Sequence, residues 1–518
     1  MLPADFLKQH NRLWRKRLGL RLRPAPRRVV DRFWDATRQN RTVGSAKLSV
    51  LRIESASGLS VNLWGNLWLA PGENNGMKLG LRKAATSLLL VVVLAAGARL
   101  AFAWDQARKI PDLALATAPF EQETGSIAKS VAIGNGFSNP FGRATGPTAW
   151  LTPVYPLLVV AAFKIFGVFT VRSFFFLVFL NIVFSSAVCV PIFHVGKRIA
   201  GVGVASGAVW LWAVFPNAIM TPFEWIWDTS LAALLAATLL WATLELAESK
   251  RLRDWCGYGL LWGFTLMTNP SLGSLLPFLL GWAAYRAWWR NDSRPKDWGW
   301  ITKPALALGL AVLCCVPWTI RNYAVFHRLV PLRSNFPLEL YIGNNENYDD
   351  KHAHFPGPIT KDRETLRYFR MGETAFMDEE MRKAKTFIVA HPRMEMILFG
   401  DRFVAFWGGV AYPIDVFLAT DSWLVRGALL WATFSGLGAF FGVVVLIWRR
   451  SVYAFPLAAF PVIFPFLYYI THTSLRYRHP IDPVVLLLTA IAAGGLFQIV
   501  LRKRPSKEPN APPDAGPV

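Results

Sequence analysis

Hydrophobic positions along this chain gather into long, nearly unbroken runs instead of alternating at the period of a half-buried strand or helix. The runs lie near 84–104, 173–195, 202–220, 226–246, 255–269, 272–289, 304–320, 423–447, 453–471 and 481–501. Each is near the length of a membrane-crossing helix, with 255–269 the short one. The pattern therefore predicts an all-α polytopic membrane protein of about ten transmembrane helices. The run 151–167 (LTPVYPLLVVAAFKIFG) is different. It contains Pro153, Pro156 and Lys164, and its uninterrupted part is too short to cross, so an interfacial helix is expected there.

The polar intervals carry helical signals of their own. After the first run, Ile127, Ala128, Val131 and Ala132 recur at helical spacing, and the helix should stop at Gly134-Asn135-Gly136. Glu121 and Glu123 stand at its start, where the helix dipole favours ionised carboxylates. In the long interval 321–422, helices are expected at 362–370 and 373–390. In the second, Phe376, Met381, Ala384, Phe387 and Ile388 repeat along one face, up to His391-Pro392.

Composition excludes a set of soluble domains: 53% of residues are hydrophobic and 17% charged. The net charge of +23 would suggest nucleic acid in a soluble chain. Here the basic residues cluster between apolar runs, as cytoplasmic loops require, and no nucleic-acid partner is implied. With 151–167 not crossing, Lys197/Arg198, Lys250/Arg251/Arg253, Arg286/Arg290/Arg294/Lys296, Arg449/Arg450 and Arg502/Lys503/Arg504 all fall on one side. That arrangement predicts a multi-pass protein of the cytoplasmic (inner) membrane, with loops 105–172 and 321–422 and the turn 472–480 on the outer face.

Three regions follow. Residues 1–77 form a basic cytoplasmic arm; 1–76 hold 14 Lys/Arg against 5 Asp/Glu. The arm could lie on anionic lipid, or translation could start at Met77, where MKLGLRKAATSLLLVVVLAAG reads as a natural beginning with a retained anchor. Residues 78–504 are the transmembrane domain, and 505–518 a Pro-rich disordered tail. Cys189, Cys256, Cys314 and Cys315 all fall in apolar runs and imply no disulfide framework.

Candidate chemistry gathers at the outer ends of the runs. Acids there are Glu121, Glu123, Glu224 and Asp228; bases are Arg321, Arg333, Arg402, Arg476 and Arg478. Acids beside several arginines suit transfer from a lipid phosphate: arginine holds the anion and a carboxylate takes a proton. Asp228, in EWIWDTSLAALL, either caps its helix or serves a site at the hydrocarbon edge. Arg476 and Arg478 either bind substrate or snorkel to the headgroups. Asp349-Asp350-Lys351-His352-Ala353-His354 is a weak metal-binding signal. No cofactor is assigned with certainty, and a divalent metal is possible. No Walker loop, dinucleotide fingerprint or zinc-protease motif is present, which favours a lipid-carried sugar over a nucleotide sugar.

Several pieces between about 120 and 483 carry a family resemblance: ETGSIAKSVAIGNGFSNPFG, GPTAWLTPVYPLLVVAAFKIFG, WDTSL, RNYAVFHRLVPLRSNFPLELYIGNN, MGETAFM and RYRHPIDP. Together they resemble the GT-C superfamily of glycosyltransferases that use polyprenyl-phosphate sugars, in particular its bacterial protein-mannosyltransferase-like and aminoarabinose-transferase-like members. The resemblance implies a catalytic acid in the first outer loop, a second acid at the outer end of a later helix, phosphate-binding basic residues and inversion at the anomeric carbon. By position Glu123 matches the first acid and Asp228 the second; Arg321, Arg333, Arg476 and Arg478 are the phosphate-binding candidates. Many members carry an Asp-Glu pair where this chain has Phe120-Glu121, so Glu121 competes with Glu123. The E-x-G-x-I-A spacing favours Glu123.

The expected function is transfer of a sugar from a polyprenyl-phosphate donor to a glycan, lipid or protein acceptor on the outer face. The alternative is a transporter or flippase of a lipid-linked sugar, a class that tends to paired halves and buried midplane charges. A membrane scaffold is the third reading, and the elaborate outer loops count against it.

Overall fold

The computed structural model describes residues 87–109, 120, 123–289, 299–346, 362–410 and 423–502. The basic arm, Glu121, the Asp349–His354 run and the C-terminal tail lie outside the described residues. In chain order the helices begin with α1 (Leu88–Lys109), α2 (Glu123–Ala132), α3 (Val154–Phe166), α4 (Val171–Ala187), α5 (Cys189–Val214) and α6 (Pro216–Glu224). Next come α7 (Thr229–Leu246), α8 (Leu252–Thr268), α9 (Leu276–Trp289), α10 (Gly299–Phe326), α11 (Phe336–Gly343), α12 (Asp362–Met371) and α13 (Glu373–Ala390). The last are α14 (Pro392–Gly408), α15 (Trp423–Trp448), α16 (Ala454–Val462), α17 (Phe466–Ile470), α18 (Leu475–Arg478) and α19 (Asp482–Arg502).

Six helical stretches among the described residues are long and apolar enough to cross a membrane: Leu88–Lys109, Val171–Val214, Thr229–Leu246, Ile301–Phe326, Arg426–Trp448 and Leu475–Phe497. Val171–Val214 runs for 44 residues and holds two of the expected crossings, α4 and α5. The expected runs 255–269, 272–289 and 453–471 are occupied by the shorter α8, α9 and the broken pair α16–α17. The chain is an all-α, multi-pass membrane protein. Helix α3, at 13 residues, reaches only about 20 Å and cannot cross the hydrocarbon. The polar-interval helices α12 and α13 stand where the periodicity places them.

Between helices, lipid gives no hydrophobic drive, so small residues and hydrogen bonds decide which faces meet. Helices α15 and α19 touch where Gly442 leaves room: a Cβ there would sit 2.2 Å from the Leu488 carbonyl. Buried Trp212, Trp255 and Trp262 fill the main core, and Phe120, Tyr155, Phe163 and Phe174 a second cluster. Pro216 cannot donate a backbone hydrogen bond, and Phe215 before it is extended, so α5 breaks from α6 there. Arg99 of α1, fully buried, satisfies that break: it donates to the Trp212 and Ala213 carbonyls and to Ser185 Oγ.

The bundle has two unlike ends. Helix α7 spans about 27 Å between them. Near its C-terminal end, Arg198 pairs with Glu245 and Glu248 and touches Tyr453, and Lys303 Nζ donates to the Lys250 carbonyl. Its N-terminal end opens onto the cavity described next.

Candidate functional site

A cavity of about 320 Å³ lies where the loops before α7, α11 and α18 meet the first turn of α2. Its charged and titratable lining comprises Glu123, Asp228, Arg333, Glu339, His472 and Arg476. Trp150, Trp227, Tyr468 and Tyr477 supply aromatic surface. Glu123, Asp228, Arg333 and Arg476, four residues that the sequence singled out, thus share one space.

Glu123 is the first residue of α2 and only 7% exposed. The wall carrying Trp150 is fixed by an acid that sequence reasoning did not assign. Glu373, at the start of α13, accepts from Ala149 N at 2.7 Å and from the hydroxyls of Thr148 and Tyr368. The signal was present in the MGETAFM segment, but nothing in spacing tells which loop a buried glutamate will hold.

Asp228 occupies the N-cap position of α7, yet its side chain makes no capping bond. It accepts instead from Asn269 Nδ2 at 3.0 Å and from Arg333 Nη2 at 3.4 Å. Ser271 hydrogen-bonds Asn269 Oδ1, which leaves the amide nitrogen pointed at the carboxylate. Its carboxylate lines the cavity and does not cap the helix. Arg333 also donates to the Thr268 carbonyl at 3.5 Å, and its Nε is buried with no partner among the described residues.

Arg476 lies flat on Trp227, its guanidinium carbon 3.5 Å from the ring centroid, with Trp225 and Tyr477 each at 5.1 Å. Such stacking uses the guanidinium face and leaves edge N–H groups for an anion.

Glu339 and His472 were not foreseen as site residues. Helix α11 carries Glu339, whose Oε1 accepts from Asn335 Nδ2 at 3.0 Å. Its Oε2 lies 3.5 Å from His472 Nε2. That ring also meets the Glu339 carbonyl through Nδ1 at 3.3 Å and the Tyr477 hydroxyl through Nε2 at 3.1 Å. The approach depends on Gly343: a Cβ there would fall 1.7 Å from the Thr471 carbonyl, so only glycine lets α11 press against the segment bearing His472. Burial, then the negative charge of Glu123, pushes the Glu339 carboxyl up to about 7, against the opposing pull of Arg476 and Arg333.

Two expected phosphate ligands stand elsewhere. Arg321 donates to the Thr148 and Phe137 carbonyls, each at 2.7 Å, and packs on Trp318 at 5.0 Å, tying down the loop after α2. Arg478 is 1% exposed, paired with Asp482 at 2.7 Å, and donates to the Trp407 and Ala432 carbonyls and Ser435 Oγ. Both guanidiniums are directed at internal carbonyls, and neither lines the cavity. Glu224 ends α6 and does not line the cavity. Arg402, buried between α14 and α11, binds the Gly343 and Tyr469 carbonyls. Among the described residues no group of three or more His, Cys, Asp or Glu could hold a metal.

No family model and no curated protein matches this chain. Solved structures that resemble it include oligosaccharyltransferases from the archaeon Archaeoglobus fulgidus. One, a complex with Zn and sulfate, aligns over 80% of this chain and 49% of its own at 11% identity and a TM-score of 0.46. Another is archaeal oligosaccharyltransferase AglB in complex with an inhibitory peptide and a dolichol-phosphate. It aligns over 80% of this chain and 51% of its own at 13% identity and a TM-score of 0.44. This chain thus spans about half the length of those proteins.

Proposed function

We propose that this protein is a membrane glycosyltransferase of the GT-C type, moving a sugar from a polyprenyl-phosphate donor to a glycan, lipid or protein acceptor. The observation that carries the reading is the convergence of the buried Glu123 and of Asp228 with Arg333 and Arg476 in one cavity at the end of the membrane-spanning bundle. Arg476, held on Trp227, and Arg333, with its buried orphan Nε, bind the donor phosphate. Glu123 takes the proton of the acceptor hydroxyl as that oxygen attacks the anomeric carbon. The anomeric C–O bond breaks, and polyprenyl phosphate leaves with its charge held by the arginines. Asp228 keeps Arg333 aimed and leaves room for an acceptor group beside Asn269. Arg321 and Arg478 take no part in this scheme. The basic residues around Arg198, Lys250 and Lys303 at the opposite end support an outward-facing cavity in the cytoplasmic membrane.

The test is product analysis with the purified full chain in lipid nanodiscs and a series of labelled polyprenyl-phosphate sugars. The expected result is label on the acceptor and free polyprenyl phosphate in equal amount. Label that changes membrane leaflet with its sugar–phosphate bond intact would instead identify a flippase.

A further inference from the structure

Glu123 is buried, so each turnover leaves a proton that must go somewhere before the next acceptor enters. Glu339 lines the same cavity. Its His472 neighbour makes ring contacts that suit one tautomer. The Glu339 backbone carbonyl can only accept, so the hydrogen on this ring sits on Nδ1, at 3.3 Å from it. In the neutral ring Nε2 is then an acceptor, and it faces the carboxylate Oε2 at 3.5 Å and the Tyr477 hydroxyl at 3.1 Å. While Glu339 is ionised the Tyr477 hydroxyl can donate to that lone pair, and a proton added between Nε2 and Oε2 joins the two residues.

Resting on the glycosyltransferase reading above, we infer that Glu339 and His472 form a proton-holding pair that receives the acceptor's proton from Glu123 and passes it towards Tyr477 and water. The balance is simple. The acceptor O–H bond breaks as a Glu123 O–H forms; that O–H breaks as the pair gains the proton, which restores Glu123 as a carboxylate; the Nε2–H then breaks as water takes the proton, which empties the pair for the next turnover. Neither residue touches the reacting atoms. The groups facing the pair are Glu123 on α2, Asp228 before α7, Arg333 and Asn335 before α11, Tyr468 on α17, and Arg476 and Tyr477 on α18. Glu123 favours the protonated pair and the two arginines oppose it. The elevated proton affinity of Glu339, near pH 7, agrees with the geometry.

The decisive measurements use the full chain in nanodiscs. In the turnover assay, Glu339→Gln should lower kcat about 10²-fold with donor KM little changed, and flatten the rise of kcat with pH through neutrality. His472→Ala should lose turnover likewise, and added imidazole should restore it. A merely structural histidine would not respond to imidazole. Unchanged kcat in Glu339→Gln, or no rescue of His472→Ala, overturns the pair. A second readout needs neither activity nor a substituted site: ¹⁵N-histidine spectra of the unsubstituted protein, with His472 assigned from its absence in His472→Gln. Hydrogen on Nδ1, with a shared proton that appears at Nε2 as the pH falls through neutrality, supports the pair. A neutral ring carrying hydrogen on Nε2 overturns it. No sugar transfer by a protein whose His472 shows the shared proton sinks the glycosyltransferase reading and leaves the pair standing.

Discussion

Replacing Trp227 by alanine removes the surface on which Arg476 rests. The guanidinium carbon sits 3.5 Å from the Trp227 ring centroid, against 5.1 Å for both Trp225 and Tyr477. The two remaining rings still touch the cation, so the variant loses one close cation–π contact and keeps two weaker ones. A contact of that kind, partly desolvated, is worth about 1–2 kcal/mol. If Arg476 must stay on the ring to meet the donor phosphate, that loss becomes about a 5- to 30-fold rise in donor KM. Trp227→Phe keeps an aromatic face and should recover part of it; Trp225→Ala, which removes a more distant ring, should cost less than Trp227→Ala. The assay is initial rate against donor concentration at saturating acceptor, with single-turnover rates to separate binding from chemistry. A Trp227→Ala protein with unchanged KM and kcat would refute the assignment of Arg476 to the phosphate.

Four further outcomes are expected. Glu123→Gln keeps the fold and donor binding but loses turnover about 10²–10⁴-fold in the same assay, whereas Glu121→Gln is milder; the reverse order would make Glu121 the base. Arg333→Ala weakens donor use about tenfold or more, since a charge-assisted hydrogen bond is worth about 1.5–3 kcal/mol, and lysine restores it only in part. By contrast Arg478→Ala leaves Asp482 buried and unpaired, costs about 3–5 kcal/mol of stability and appears as a lowered unfolding temperature, not as a selective change in KM. In a background without the four native cysteines, a cysteine at the exposed Asn135 should react with an impermeant thiol reagent in intact cells, and one at the exposed Lys250 only after lysis; the opposite pattern would invert the orientation.

How much was legible in the sequence depended on whether a residue's neighbours were local. Helix α13 and the start of α2 could be read from spacing and punctuation, because helical periodicity is a local property. Asp228 could be singled out because an acid beside hydrocarbon is costly wherever the chain goes next. Arg476 and Arg478 show the opposite. Two residues apart on the short helix α18 they point to roughly opposite sides, one onto Trp227 and the other into the bundle, and only the pose of α18 decides which is which. Arg321 looked like a ligand because nothing local reveals that the carbonyls of Phe137 and Thr148, more than a hundred residues earlier, will come to it. Glu339 and His472 escaped notice for the same reason: no local spacing links them, and their meeting is made by chain segments far apart in sequence. Long apolar runs likewise gave the crossings without their breaks, since the bend at Phe215–Pro216 is stabilised by Arg99 from another helix.

The missing side chain at Gly343 has a bearing on engineering. Helix α11 and the segment Thr471–Tyr477 fit as lock and plate, with no room for even a methyl group between them. Any attempt to alter acceptor choice by grafting a foreign α11 would have to carry 471–477 along as its mate. Exchanged singly, either piece would arrive without the surface that seats it, and Glu339 and His472 would be separated before a substrate was ever offered.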